Sequence, residues 1–366
     1  MIDQAPPWRP PKVVPAMLML AGRRRGRLTT FALRLGSLLL VICAVLSPAR
    51  EPGPAPPVEV EARERELPAR ERDRRCVRPL HRPREGRDNR QDRYHGGRAA
   101  VPVQRRTTLR CAPHVYVFSD MAQKVGDVEI FDALDETADE VKDGNTDFDI
   151  YRKQQELEDP EEIVAQLRTV MSPPGSIDLA AWTLDKYKNL HIIEKSWALK
   201  PDMDWYLHID ADTYVVWPSL IQWFRRLDKN RDLFLGSGCF FDDDPFAHGG
   251  SGILLSGEAM RTLAADHNGT AARWDPEVRN HCCGDFVLTM ALKEYDIGPV
   301  MHSWPTINGE SQNTIPFGDE HWCQPVVTLH HVSVDGMEEM ARFEDRRPSK
   351  SVRRMHPLLT ITHNTG

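Results

Sequence analysis

The stretch Trp205-Tyr206-Leu207-His208-Ile209-Asp210-Ala211-Asp212 carries the strongest fold signal in this chain. Aromatic and β-branched residues dominate its first half, which is typical of a buried strand. Two carboxylates one residue apart then follow, and in α/β folds ligands bind beyond the carboxyl ends of strands. Such a pair can hold a hard divalent cation through oxygen. The stretch therefore predicts a metal site at a sheet edge, with a solvated acidic loop as the alternative.

Apolar runs and helical patterns alternate on both sides of this strand, which predicts an α/β domain with a largely parallel sheet. We expect the domain to span residues 107–344 and to be followed by a flexible tail at 345–366. The expected strands are His114–Phe118, Asp127–Phe131 and Asp232–Leu235, and the expected helices are Pro160–Met171, Leu179–Leu199 and Leu220–Leu227.

Three further segments contain candidate functional residues. Gly249 and Gly250 precede an apolar strand, where glycines let a backbone approach a ligand closely or simply form a turn. Asp285 lies near the expected start of a helix, either as a helix cap or as a general base. His330 and His331 follow an apolar run, and an imidazole there could complete a metal shell or serve in packing.

The two ends of the chain differ in charge. Residues 1–110 contain 24 Lys/Arg and 11 Asp/Glu, whereas residues 111–366 contain 23 and 43. Because phosphate binding requires positive charge on the folded domain, the acidic part argues against a nucleic-acid enzyme.

Residues 28–49 form an apolar segment that is interrupted by Arg34 and preceded by an arginine cluster at 23–27. This pattern predicts an uncleaved signal anchor, with residues 1–27 cytosolic and the remainder in the lumen of the Golgi or endoplasmic reticulum. A cleaved signal peptide and a buried core helix are the alternatives. Residues 50–106 are rich in Pro, Arg and Glu, and their composition predicts a disordered stem.

The cysteines beyond this segment also fit an oxidising lumen, where they could form up to three disulfides. They are Cys76, Cys111, Cys239, Cys282, Cys283 and Cys323. The sequon Asn268-Gly269-Thr270 is compatible with the same compartment.

Taken in order, these segments resemble glycosyltransferase family 31, especially its fungal members and its core-1 β1,3-galactosyltransferase and Fringe branches. Residues 205–215 resemble the family's hydrophobic strand running into DDDTYV, with Ala211 at the middle acid. Residues 248–256 resemble its GGAGYVLS segment, and residues 182–188 resemble the WxLDKxK helix of the fungal group. Gly284-Asp285-Phe286 stands where the family has Glu-Asp-Val.

The resemblance implies a GT-A fold, Mn²⁺ and inverting transfer from UDP-galactose or UDP-N-acetylglucosamine to a glycan or glycoprotein acceptor, forming a β1,3 linkage. It implies that Asp285 is the base and that Asp212 binds the metal directly. Asp210 would lie by the ribose or a metal-bound water, and His330 or His331 would be the third protein ligand. By the same resemblance, the positions beside the donor are Lys186, Gly249 and Gly250.

Two other functions remain open from the sequence. The substitutions at Ala211 and Gly284 motivate a non-catalytic lumenal glycan-binding or chaperone-like protein that keeps the fold. A metal-dependent hydrolase would use the same acidic loop.

Overall fold

A computed structural model describes residues 41–46, 96–156 and 176–346, apart from residues 242, 317, 320, 322 and 323. Its strands are β1 Val41–Leu46, β2 His114–Ser119, β3 Gln123–Val125, β4 Val128–Asp132, β5 Trp205–Asp210, β6 Tyr214–Val215, β7 Phe234–Gly236, β8 Gly238–Phe241, β9 Asp244–Ala247, β10 Ile253–Ser256, β11 Met301–His302, β12 Ile307–Asn308 and β13 Thr328–Leu329. Its α-helices are α1 Gly96–Arg106, α2 Asp139–Lys142, α3 Asp149–Gln155, α4 Ser176–Asp185, α5 Lys188–Leu199, α6 Trp217–Phe224, α7 Gly257–Arg261, α8 Thr270–Val278, α9 Gly284–Glu294 and α10 Val334–Arg346.

The main sheet has eight strands in the order β11-β7-β10-β5-β1-β2-β4-β3. Strands β7 and β11 are parallel, as are β2 and β4, whereas β1, β3 and β10 run antiparallel to their neighbours. The α/β class is thus confirmed, but the sheet is mixed rather than largely parallel. After β7 the chain forms the β8–β9 hairpin and then returns as β10, which lies beside β7 and runs in the opposite direction.

Strand β5 is buried on both faces, which explains its nearly continuous apolar sequence. Alternate residues of a strand point to opposite faces. Accordingly, Tyr206 packs into one hydrophobic cluster with α5 and α9, while Leu207 and Ile209 pack into a second cluster with α6. The strand therefore carries Asp210 to the edge of a sheet that is covered on both sides.

Most of the expected elements are present. Strands β2, β4, β5 and β7 and helix α6 match the predicted strands and helix to within a few residues. The predicted helix Leu179–Leu199 is instead two helices, α4 and α5, separated at Lys186-Tyr187. Tyr187 is buried there, with its ring centroid 4.6 Å from that of Phe148. The predicted helix Pro160–Met171 lies outside the described residues.

The N-terminal part of the chain differs from its prediction in two places. Val41–Leu46, within the predicted membrane helix, is a strand paired with β2 and β5, since a short Val/Ile-rich run suits a buried strand as well as a helix. Helix α1 lies in the predicted stem, yet Val101 and Val103 are buried in the apolar clusters, so the folded region begins before residue 107. Among the described residues, no helix has the length and apolarity needed to cross a bilayer.

Candidate active site

A short strand pair brings Asp212 and His330 together. Strand β13 runs antiparallel to β6, with Leu329 opposite Tyr214, and the Val332 amide donates to the carbonyl of Asp212 at 2.9 Å. Nε2 of His330 consequently lies 3.1 Å from Oδ1 of Asp212 and 3.8 Å from Oδ2 of Asp210. The imidazole expected from a distant part of the sequence does reach the acidic loop.

The orientation of the His330 ring is set by its other nitrogen. Strand β12 runs beside β13, and Nδ1 of His330 is 3.1 Å from the carbonyl oxygen of Gly309. Donation from Nδ1 to that carbonyl leaves the Nε2 lone pair of the neutral ring facing the carboxylates. This is the arrangement that commonly orients a metal-binding histidine.

His331 occupies a different position from its neighbour. Its side chain is exposed, its Nδ1 is 3.1 Å from Oε2 of Glu310, and its φ of 55° lies in the left-handed region that a non-glycine residue rarely adopts. Ligand atoms of Asp212, His330 and His331 all lie within 4.8 Å of one another. Either imidazole can therefore join Asp212, but only His330 is buried and also contacts Asp210.

Asp210, Asp212 and His330 shift one another's pKa values. Burial raises the pKa of Asp210 to about 7, against the opposing charge of His330. Burial also acts to raise the pKa of Asp212, but the hydrogen bond and charge of His330 outweigh it and the pKa is lowered. Burial acts to lower the pKa of His330, but the hydrogen bond to Asp212 and the charges of Asp212 and Asp210 together raise it. When it is protonated, the His330 ring lies where a cation would interact with both aspartates.

Asp285 is held in another way. The amide of Gly249 donates to its Oδ2 at 2.8 Å and the amide of Phe286 to its Oδ1 at 2.9 Å. Burial raises the pKa of Asp285 against these two hydrogen bonds. The described residues provide it with no ion-pair partner. The carboxylate is therefore fixed in orientation by backbone amides, without a cation that would hold its charge.

The Gly249-Gly250 loop lies between these two centres. While Gly249 binds Asp285, a Cβ at Gly250 would collide with the His330 ring and would lie 3.0 Å from Oδ2 of Asp210. Thr213 fixes the loop by donating from Oγ1 to the Gly250 carbonyl at 2.7 Å. The paired glycines therefore have a specific role, because a side chain at Gly250 would displace the imidazole.

Ala211 and Gly284, where the sequence differs from the pattern that it resembles, both have packing explanations. The Ala211 side chain packs against the apolar cluster that contains Ile209 and Val327, where a carboxylate would lose its hydration. A Cβ at Gly284 would lie 2.7 Å from the carbonyl oxygen of Lys186 and would also collide with the amide of Asn189. The apolar surroundings of Ala211 and the close contacts at Gly284 therefore explain the small residue at each position.

Two lysines at the break between α4 and α5 have separate environments. Nζ of Lys186 is 2.9 Å from Oδ2 of Asp147. Lys188, which was not singled out from the sequence, is buried with its Nζ 2.6 Å from Asp185 and 3.7 Å from Asp120. Burial raises the pKa of Asp185 to about 7, and Asp185 in turn raises that of Asp210. Lys188 is thus linked to the acidic loop through Asp185, whereas Lys186 pairs with Asp147, and the sequence did not distinguish these two lysines.

His248 is a second residue at the site that sequence reasoning missed. Its ring centroid is 5.4 Å from that of His330, and its Nδ1 accepts a hydrogen bond from the Ser251 amide at 3.2 Å. Burial lowers its pKa to about 4, so the ring is neutral with its proton on Nε2. Its position directly before the paired glycines was the one available signal.

One disulfide is present among the described residues. It joins Cys282 to Cys283, immediately before Gly284, and Cys239 keeps a free thiol. Cys76 and Cys323 lie outside the described residues.

Comparison with known proteins adds no family to this description. No protein-family model matches the chain, and no curated protein matches it significantly.

The donor set fits a divalent cation of the manganese type. Asp212 and Asp210 offer carboxylate oxygens, which Mg²⁺ and Mn²⁺ favour, and His330 adds an imidazole nitrogen, which suits transition metals. The gap left by the missing side chain at Gly250 keeps that nitrogen beside both oxygens. The residues present therefore fit Mn²⁺.

Proposed function

We propose that this protein is an inverting, metal-dependent glycosyltransferase that transfers galactose or N-acetylglucosamine from a UDP-sugar to a glycan or glycoprotein, forming a β1,3 linkage. The observation that carries the proposal is the Gly249-Gly250 loop, which contacts Asp285 on one side and the Asp210–His330 pair on the other. An inverting transfer needs these two centres, one for the leaving group and one for the acceptor. The resemblance to glycosyltransferase family 31 supports the choice of donor.

On the leaving-group side, Asp212 and His330 would hold Mn²⁺, with Asp210 beside them. The bound ion supplies charge neutralisation to a diphosphate as it leaves. His330 must give up its Nε2 proton to serve as a ligand, while its Nδ1 remains bonded to the Gly309 carbonyl. That bond keeps the ring in place during the exchange.

On the acceptor side, Asp285 would act as general base. An acceptor hydroxyl oxygen forms a bond to the anomeric carbon as the bond from that carbon to the diphosphate oxygen breaks. UDP leaves with the bonding electron pair, and the hydroxyl proton passes to Asp285. The amides of Gly249 and Phe286 hold the carboxylate, which keeps its basic lone pairs directed at one site. No covalent nucleophile is needed.

We propose a compartment of the secretory pathway, the Golgi or endoplasmic reticulum lumen, for this activity. The Cys282–Cys283 disulfide supports an oxidising environment. The type II signal anchor at residues 28–49 stays a prediction, and Val41–Leu46 within it belongs to the sheet.

Calorimetric titration of the full chain with UDP, in the presence of Mn²⁺ and after chelation, tests the metal side. We expect Mn²⁺-dependent binding that weakens at least about 100-fold in Asp212→Asn, because a direct ligand is lost. Asp202→Asn is the matched control, since Asp202 is exposed with a φ of 59° that asparagine tolerates. UDP binding that is unchanged by chelation would favour a non-catalytic binding protein. Phosphate release from simple esters would favour a hydrolase.

A further inference from the structure

The β8–β9 hairpin presents one apolar face to the start of helix α9. Its register pairs Cys239 with Phe246 and Phe241 with Asp244. Because alternate strand residues point to opposite faces, Cys239, Phe241 and Phe246 share one face. Phe240, paired with Pro245, points the other way.

The shared face packs on Phe286, the residue directly after Asp285. The ring centroids of Phe241 and Phe246 lie 5.3 and 5.7 Å from that of Phe286, both in edge-to-face geometry. Because Phe286 directly follows Asp285, these ring contacts place the hairpin beside the start of α9, and the charge of Asp285 adds to burial in raising the pKa of the Cys239 thiol. The hairpin is thus a wall beside the carboxylate.

Of the three rings that meet here, Phe241, Phe246 and Phe286, only Phe241 is open to solvent. Phe246 and Phe286 are 8% and 5% exposed, whereas Phe241 is 44% exposed. Phe241 is held against Phe286 while much of its surface faces water. An exposed aromatic side chain is common on a protein, but one anchored beside a buried carboxylate is positioned to contact whatever approaches that carboxylate.

We propose that Phe241 is the platform on which the acceptor stacks, and that the acceptor is a neutral hexopyranose whose hydroxyl group faces Asp285. This inference rests on the proposed function, because it assigns the acceptor side of the same site. A pyranose has a face of C–H groups that packs on an aromatic ring and a rim of hydroxyls that need polar partners.

The charges around the ring favour a neutral ligand. Asp243 and Asp244 are exposed at the end of the hairpin, and Asp285 lies at its inner side. Carboxylates accept hydrogen bonds from sugar hydroxyls but repel sialylated, sulfated or phosphorylated acceptors. Lys293, 3.6 Å from Asp244, is the basic side chain paired with this edge, and it is already engaged by that carboxylate.

Saturation-transfer NMR of the full chain with methyl β-D-galactopyranoside, without nucleotide, tests the platform. We expect transfer to the ring protons of the C–H face and roughly tenfold weaker binding in Phe241→Ala. Phe241→Leu keeps an apolar contact with Phe286 but removes the flat ring, so it should also weaken binding, whereas Phe241→Trp should retain it. Phe240→Ala is the matched control, because the more exposed Phe240 lies on the opposite face, and its affinity should stay within about twofold.

Three results would overturn the inference: no transfer to the galactoside from a folded sample, equal losses in Phe240→Ala and Phe241→Ala, or full affinity in Phe241→Leu. Binding of a serine- or threonine-containing peptide that depends on Phe241, without binding of the galactoside, would assign the face to a peptide acceptor instead. Titration of every variant with UDP and Mn²⁺ separates the two proposals. A chain that binds UDP but no galactoside defeats only the platform, whereas a chain that binds no UDP defeats the transferase.

Discussion

The two acidic centres of the candidate site face each other across two glycines, and they differ in what surrounds the carboxylate. Asp212 has an imidazole at 3.1 Å, which lowers its pKa. Asp285 has two backbone amides and no ion-pair partner among the described residues, and its pKa is raised. Under the proposed function, Asp212 would bind a cation and Asp285 would accept a proton.

In this proposal, the group that surrounds each carboxylate determines what the carboxylate does. A cationic partner can be exchanged for a metal ion, because the carboxylate is already ionised and oriented. An amide partner holds a carboxylate without neutralising it, so the charge remains available to accept a proton. Three experiments test whether this difference is real.

The largest expected effect is on Asp285. Asp285→Asn preserves the shape of the side chain but removes its basicity, so kcat should fall by about 10²–10⁴ while the affinity for UDP and Mn²⁺ stays unchanged. Steady-state transfer rates and calorimetric UDP titrations measure the two quantities on the same sample. An equal loss of UDP affinity would show that Asp285 belongs to the binding centre, and the contrast with Asp212 would disappear.

The local sequence predicted the candidate residues Asp212 and Asp285, but not which distant side chains lie beside them. Strand β5 and the acids after it form one continuous pattern, and Asp285 lies at the start of a helix. Each candidate was therefore recognisable from its own segment of the sequence. The contact of His330 with Asp212 depends on the pairing of β6 with β13, two short strands far apart in the chain. That pairing has no local signature, which is why the sequence left His330 and His331 equivalent.

Two other features were beyond prediction for a related reason. Val41–Leu46 reads equally as part of an apolar helix or as a strand, and only its neighbours β2 and β5 decide between them. Lys188 differs from Lys186 because the long predicted helix breaks at Lys186-Tyr187. A helical pattern that continues through a break does not reveal which side chains turn inward.

A smaller effect should separate the two histidines. His330→Ala removes the buried imidazole beside both aspartates, and we expect Mn²⁺ affinity, measured by electron paramagnetic resonance titration, to fall about 10- to 100-fold. His331→Ala removes an exposed ring paired with Glu310 and should cost no more than about threefold. The reverse order would assign the third ligand to His331 and would make the packing of His330 against Gly250 a structural feature only.

The smallest effect is a displacement of the pH profile. Measured with saturating Mn²⁺ and UDP-sugar, kcat no longer depends on metal binding, so the remaining acidic limb reports the base. The base is active when ionised, so kcat should rise with pH through the pKa of Asp285 and then level off. Because burial raises that pKa above the ordinary aspartate value of about 3.9, the limb should lie above that pH. The residual activity of Asp285→Asn should lack the limb. A limb that persists in this variant would belong to another group, and the raised pKa of Asp285 would then be a consequence of burial without a role in transfer.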